Sequence, residues 1–190
     1  MERTKNTDKD RFARIERIME LVVGYDLEEF KRYYRKLAED GEWRGTFGWS
    51  EELGESWEKV LAENPSLLIV MKEDDEIIGH IIWHESNTEE HRKGEPRSKE
   101  DKEILRRLLG GKKDLVELHE IWLRQAYRGK GYGKEFFEFF EDFIKSRGCD
   151  AIVYYADHPA AIAICRKRGY KEGFLTEEGR RWHVFCLLLS

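Results

Sequence analysis

Three glycines alternate with basic and aromatic residues in Arg128-Gly-Lys-Gly-Tyr-Gly-Lys134, between an apolar run at 115–123 and a stretch of helical periodicity. Glycine lets a backbone approach an anion closely, and consecutive N–H groups ahead of a helix N-terminus form a cradle for phosphate oxygens. Arg128, Lys130 and Lys134 add positive charge beside Gly129, Gly131, Tyr132 and Gly133. The residue types point to a phosphorylated ligand. A P-loop does not fit, because it needs glycine where Arg128 stands and Ser or Thr where Glu135 stands. A dinucleotide fingerprint does not fit either, since the spacing is Gly-x-Gly-x-Gly and no parallel βαβ chain opens at the N-terminus. Just upstream, Glu117, His119 and Glu120 are side chains able to move protons. Strand alternation places Glu117, His119 and Ile121 on one face and Glu120 on the other.

The elements around this turn read as a mixed α/β sheet. A strand is expected at 19–23, although the apolar spacing of Phe12, Ile15, Met19 and Val22 also fits a helix. Asp26 caps a helix running to Leu37, with Glu29 completing a capping box. Residues 41–49 read as a loop, and Ser50 starts a helix that stops before Asn64-Pro65. A hairpin follows, with strands at 67–71 and 77–83 joined by a polar turn. Residues 87–113 form a polar insertion with an amphipathic helix at 98–109, stopped by Gly110-Gly111. It reads either as a surface elaboration or as a substrate lid. The strand at 115–123 leads through the glycine turn into a helix at 134–147, whose Phe136, Phe139, Phe140 and Phe143 recur at core spacing. A strand at 151–156, a helix at 159–168 and a closing strand or hairpin at 172–189 complete the chain.

Composition narrows the function. The net charge of −5 argues against a general nucleic-acid binder, which needs an excess of Lys and Arg on one face. Cys149, Cys165 and Cys186 are widely spaced and make no Cys-x-x-Cys pair, so a reduced protein without a zinc site is expected. The first eleven residues are charged, and no apolar run is long enough to span a bilayer. A cytoplasmic protein with no membrane partner is expected. The oligomeric state is open, a homodimer included.

The turn Arg128-Gly-Lys-Gly-Tyr-Gly133 resembles the Arg/Gln-x-x-Gly-x-Gly/Ala signature of the GNAT superfamily of acyl-CoA N-acyltransferases. The segment Asp157-His-Pro-Ala-Ala-Ile-Ala-Ile-Cys-Arg-Lys-Arg-Gly-Tyr170 is similar to the family's Asn-x-x-Ala-x-x-x-Tyr-x-x-x-Gly-Phe segment. The resemblance is good from about Ser66 onward and weak before it. It implies a single domain over 1–190, with a variable N-terminal part at 1–66 and a coenzyme-binding core at 67–190. It also implies a mixed, mostly antiparallel central sheet flanked by helices, the acyl-CoA N-acyltransferase fold.

The implied activity is transfer of an acetyl group from acetyl-CoA to an amine, in a small molecule or a peptide, with no metal. Backbone groups of Ile121, Trp122 and Leu123 would bond the pantetheine amides, with the Leu123 N–H as oxyanion donor. The backbone of 128–133 would take the pyrophosphate. Glu117, eleven residues before Arg128, matches the basic glutamate of the histone-acetyltransferase branch, with His119 as the alternative base. Two positions depart from the family. His158 stands where a coenzyme-contacting Asn is usual, and Cys165 stands where a tyrosine often protonates the leaving thiolate. Tyr155, Tyr154 or Cys165 is then the candidate acid. The departure at Cys165 also admits a fold relative that binds acyl-CoA without catalysis. Trp43, Trp49, Trp57 and Trp83 are candidates to line the acceptor pocket.

Overall fold

The computed structural model describes residues 19–43, 47–50, 53–89, 98–177 and 179–189. The helical alternative at 12–18 and the charged first eleven residues lie outside them. From Met19 the chain is a strand, β1 (Met19–Val23), which pairs antiparallel with β4 (Leu68–Glu73). Between them, α1 (Leu27–Glu39) starts where Asp26 Oδ1 accepts from the Glu29 N–H at 2.8 Å. The Glu29 carboxylate accepts from the Tyr25 hydroxyl at 2.7 Å.

The helix expected from Ser50 is replaced by a small hairpin, β2 (Trp49–Ser50) with β3 (Glu55–Ser56), and α2 (Trp57–Glu63) begins only after it. Ser56, not Ser50, is the N-cap; its side chain accepts from the Lys59 N–H. A second Ser ahead of an apolar run offers an equally good start signal, and the sequence does not choose between them.

β4 turns into β5 (Glu76–Asn87) through Asp74 and Asp75, both at positive φ (48° and 69°). Two left-handed residues make the tight hairpin whose twist suits the flanking strands. α3 (Ser98–Leu109) precedes β6 (Asp114–Leu123). α4 (Tyr132–Ser146), β7 (Ala151–Ala156), α5 (Pro159–Lys167) and the hairpin of β8 (Lys171–Glu177) and β9 (Arg180–Leu188) follow. The seven-stranded sheet runs β1-β4-β5-β6-β7-β9-β8, and its one parallel pair is β6 with β7.

Both faces of the sheet are covered, so β4 and β7 carry near-continuous apolar runs, while β5 and β6 interleave apolar residues with His and Glu. One face carries α4 and α5 over a core that includes Trp83, Val116, Phe136, Phe137, Phe140 and Ile152, all fully buried or nearly so. Burying each phenylalanine contributes about 1.5–3 kcal/mol before conformational entropy is counted. Phe139 and Phe143 of the expected stripe are only partly buried, and Phe137 and Ile144 replace them inside.

The other face has two separate covers. α1 and α2 pack on β4 and β5 around Phe30, Leu37, Trp57 and Leu61. α3 packs Leu105 and Leu109 on β7, β8 and β9. Gly173 permits this contact, because a Cβ there would meet Ile104 Cγ2 at 2.8 Å. The helix of the insertion is therefore a structural layer of the domain, neither a surface elaboration nor a lid.

Candidate active site

β6 pairs with β7 from Leu115–Ala151 to Leu118–Tyr154 and no further among the described residues, although both strands continue. The strands diverge there. On the α4/α5 face the divergence opens a cleft of about 180 Å³, lined by Ile121, Leu123, Gly129, Gly133, Tyr154, His158 and Ile164 among others. At its mouth, Gly129 (φ 78°) and Gly131 (φ 99°) adopt left-handed conformations, and a Cβ at either would point into open space. Gly131 is the N-cap of α4, and no side chain caps its first turn. The leading N–H groups of a helix have no partner within it. A site that is basic, glycine-lined and open at a helix N-terminus fits a phosphate group, and the apolar cleft behind it fits the arm of an acyl-CoA.

Backbone direction on β6 settles which groups face the opening. The Arg124 N–H donates to the Ile78 carbonyl at 2.8 Å, toward β5. Successive N–H groups of an extended chain point to opposite sides, so those of Leu123 and Ile121 face the open edge. Trp122 faces β5 instead; its carbonyl lies 2.7 Å from where a Cβ on Gly79 would be. Of the three residues expected to present backbone groups to a pantetheine, Ile121 and Leu123 turn their N–H groups to the open edge and Trp122 turns its own to β5. The Leu123 carbonyl already accepts from Arg128 Nε at 2.8 Å, and the Arg128 guanidinium lies 4.4 Å over the Trp122 ring. Arg128 thus braces the turn as well as lining the cleft. Lys130 stacks over Tyr127 (5.3 Å), and Lys134 pairs with Glu138 (3.5 Å). His158 caps α5 by accepting from the Ala160 N–H at 3.2 Å.

The candidate proton-transfer residues are arranged differently from the expected alternation. β5 and β6 slip register at Ile82/Trp83: Ile82 faces Glu120 and Trp83 faces Leu118, leaving His119 as the extra residue of a β-bulge. The bulge turns Glu120 to the α1/α2 face along with Glu117 and His119, and sends Ile121 to the α4 face with the cleft. The expected grouping of Glu117, His119 and Ile121 against Glu120 is overturned. A one-residue slip inverts every side chain beyond it, and nothing in an apolar strand pattern announces the slip.

On that face a second hollow, about 240 Å³, is lined by Tyr34, Trp43, Phe47, Gly48, Trp57, Ile82, His119 and Glu120. His119 stacks on Trp57 at 4.3 Å, and Glu117 Oε1 lies behind it, 3.7 Å from Nδ1. Glu120 bonds His80, which is fully buried, and accepts from the Tyr34 hydroxyl at 3.3 Å. Burial, then the Glu120 charge, raises the Tyr34 phenol well above its usual range. Of the four candidate tryptophans, Trp43 and Trp57 line this hollow. Trp49 is exposed, and Trp83 is buried in the core on the opposite face.

The candidate acids separate cleanly. Cys165 is fully buried, and burial pushes its thiol up to about 12. The Tyr155 hydroxyl donates to Asp101 of α3 at 2.7 Å, and the residue packs with the α3 core, on the face away from the cleft. Tyr154 lines the cleft, and burial raises its phenol.

No helix among the described residues is long and apolar enough to cross a membrane, and no cluster of His, Cys, Asp and Glu among them could hold a metal ion. Comparison with curated proteins finds no matching sequence. Solved structures share the fold at low identity. The polyamine N-acetyltransferase of Drosophila melanogaster superposes with a TM-score of 0.62 at 12% identity, over 89% of this chain and 100% of that one. A mosquito arylalkylamine N-acetyltransferase, like 5b, gives 0.61 at 18%, over 90% and 100%. The NatC complex bound to Gag peptide and CoA gives 0.61 at 16%, over 90% and 99%. The model of the acetyltransferase (GNAT) family matches residues 25–170, which hold the diverging strands, the glycine turn and both hollows, and the chain belongs to that family of acyltransferases.

Proposed function

We propose that this protein transfers an acetyl group from acetyl-CoA to a primary amine by direct attack, with no covalent enzyme intermediate. The observation that carries the reading is the opening between β6 and β7, which runs from a bulge bearing His119 and Glu120 to a glycine turn at the start of α4. The amine acceptor and acetyl-CoA would approach from opposite faces of the sheet and meet at the unpaired stretch of β6. The names of the fold neighbours, a polyamine and an arylalkylamine N-acetyltransferase among them, agree with an amine acceptor.

In this reading the N–H groups of 129–133 hold the pyrophosphate, with Lys130 and Lys134 lending charge, and Ile121 and Leu123 hold the pantetheine arm. The Leu123 N–H donates to the carbonyl oxygen as negative charge develops on it. An amine attacks only as the free base, so a proton must leave. His119, which lines the acceptor hollow and is held by its stack on Trp57, takes it, and Glu117, 3.7 Å behind it, offsets the charge. A new N–C bond forms as the C–S bond breaks. Tyr154, kept protonated by burial, donates a hydrogen bond to the departing sulfur, which takes its proton from water at the cleft mouth.

The test is free thiol released from acetyl-CoA across a panel of polyamines, arylalkylamines, amino acids and peptide N-termini. Amine-dependent release is expected. Tight coenzyme binding with no release for any class of amine would replace the enzyme by an acyl-CoA-binding protein.

A further inference from the structure

We infer that the hollow on the α1/α2 side of β6 selects a small primary ammonium ion on an uncharged skeleton and rejects amines that carry a carboxylate. The inference rests on the transferase reading for the purpose of the site, and adds the chemical class of the acceptor.

Three features converge. The walls are rings: Tyr34, Trp43, Phe47 and Trp57. Aromatic faces attract a cation through their quadrupole, most strongly where water is excluded. These rings are also held in place. Tyr34 stacks on Phe47 at 4.9 Å with planes 8° apart, Trp43 packs on Trp122 at 4.8 Å, and Trp43 Nε1 donates to the Tyr34 hydroxyl. A pre-set cage loses little freedom when it is filled.

The second feature is charge. The Glu120 carboxylate lines the hollow with its side chain 14% exposed, and its orientation is fixed from behind by His80 and Tyr34. No Lys or Arg is among the described residues that line it. The nearby Arg124 is spent on Asp40 (2.6 Å) and Glu42 (3.4 Å). Glu117, with its side chain 13% exposed, stands behind His119. An ammonium is drawn into such a site, whereas a carboxylate on the same molecule meets like charge with no Lys or Arg to pair with among the described lining residues. The third feature is size. At about 240 Å³ the hollow is smaller than a typical drug-sized pocket, which suits a compact amine.

The experiment uses two pairs that differ by one carboxylate: phenethylamine with phenylalanine, and pentylamine with norleucine. Each is titrated by calorimetry into the full chain saturated with coenzyme A. At least one amine is expected to bind ten times or more tightly than its amino acid. Glu120→Gln is expected to weaken that amine at least tenfold while coenzyme affinity stays unchanged. Equal or tighter binding of both amino acids overturns the inference, and so does failure of both amines to bind. If the Gln variant does not fold, the comparison of ligands on the unaltered chain decides. Failure to bind coenzyme A sinks the transferase reading instead, and the same titrations on the chain alone still judge the pocket.

Discussion

At the scale of single residues, the bulge at His119 divides the chemistry. It brings an imidazole and two carboxylates onto one face within four positions, but only His119 and Glu120 line the hollow. If His119 takes the proton, His119→Ala should lower kcat by roughly 10²–10⁴, the usual worth of general-base catalysis, at unchanged coenzyme affinity. Glu117→Gln should cost less and shift the pH–kcat profile, because it alters the imidazole without touching the amine. Steady-state kinetics across pH 6–9 decides; a larger loss in the glutamine variant than in the alanine one would return the role to Glu117. Cys165 shows the opposite case. Its place four residues before Gly169 made it a candidate donor, but a thiol that is fully buried and raised to about 12 is a packed helix residue. Burial decides between the two roles, and neighbours in sequence do not report it.

At the scale of elements, contacts across the sheet are made possible by missing side chains. Gly79→Ala would put a Cβ 2.7 Å from the Trp122 carbonyl, which is backbone in the central strand pair. Gly173→Ala would meet Ile104 Cγ2 at 2.8 Å, and a side chain on α3 can turn aside. Overpacking costs typically 1–3 kcal/mol, and the rigid obstacle should sit at or above the top of that range while the soft one sits at the bottom. Urea unfolding of the two variants tests the ranking; equal losses would mean that β5 and β6 part more easily than their ladder suggests. Much of the element list was legible in the sequence: the hairpin around Asp74, the helix closed by Gly110, the glycine turn and the proline-started α5. What was not legible has one cause in each instance. Ser50 and Ser56 compete as caps at short range, and the winner is chosen by the β2–β3 pairing. The helix of 98–109 has the same amphipathic pattern whether it lies on solvent or on a sheet, and only Gly173, some sixty residues on, supplies its seat. The register slip in β6 adds a residue without changing composition.

At the scale of the whole molecule, the two halves of the sheet meet at β6 and share only four parallel pairs on its β7 side. A ligand wedged there binds the folded state alone and stabilises it by mass action. At a hundred times its dissociation constant coenzyme A should add about 2.7 kcal/mol, which for a chain of this size is roughly 5–10 °C in Tm. Gly133→Val should abolish the shift: its φ carries no strain, its Cβ sits 3.4 Å from Ile164 Cδ1, and its methyl groups enter the cleft. Differential scanning fluorimetry with and without coenzyme measures both; an undiminished shift in the valine variant would move the ligand elsewhere. The tight approach at Gly79 has a bearing on how the gene tolerates change. Among twenty amino acids one fits that position, for a reason of space alone, so a growth-based scan of every substitution would rank Gly79 beside the residues that touch the acceptor. Intolerance there records geometry, and a parallel measure of protein abundance is what would tell a filled gap from a lost reaction.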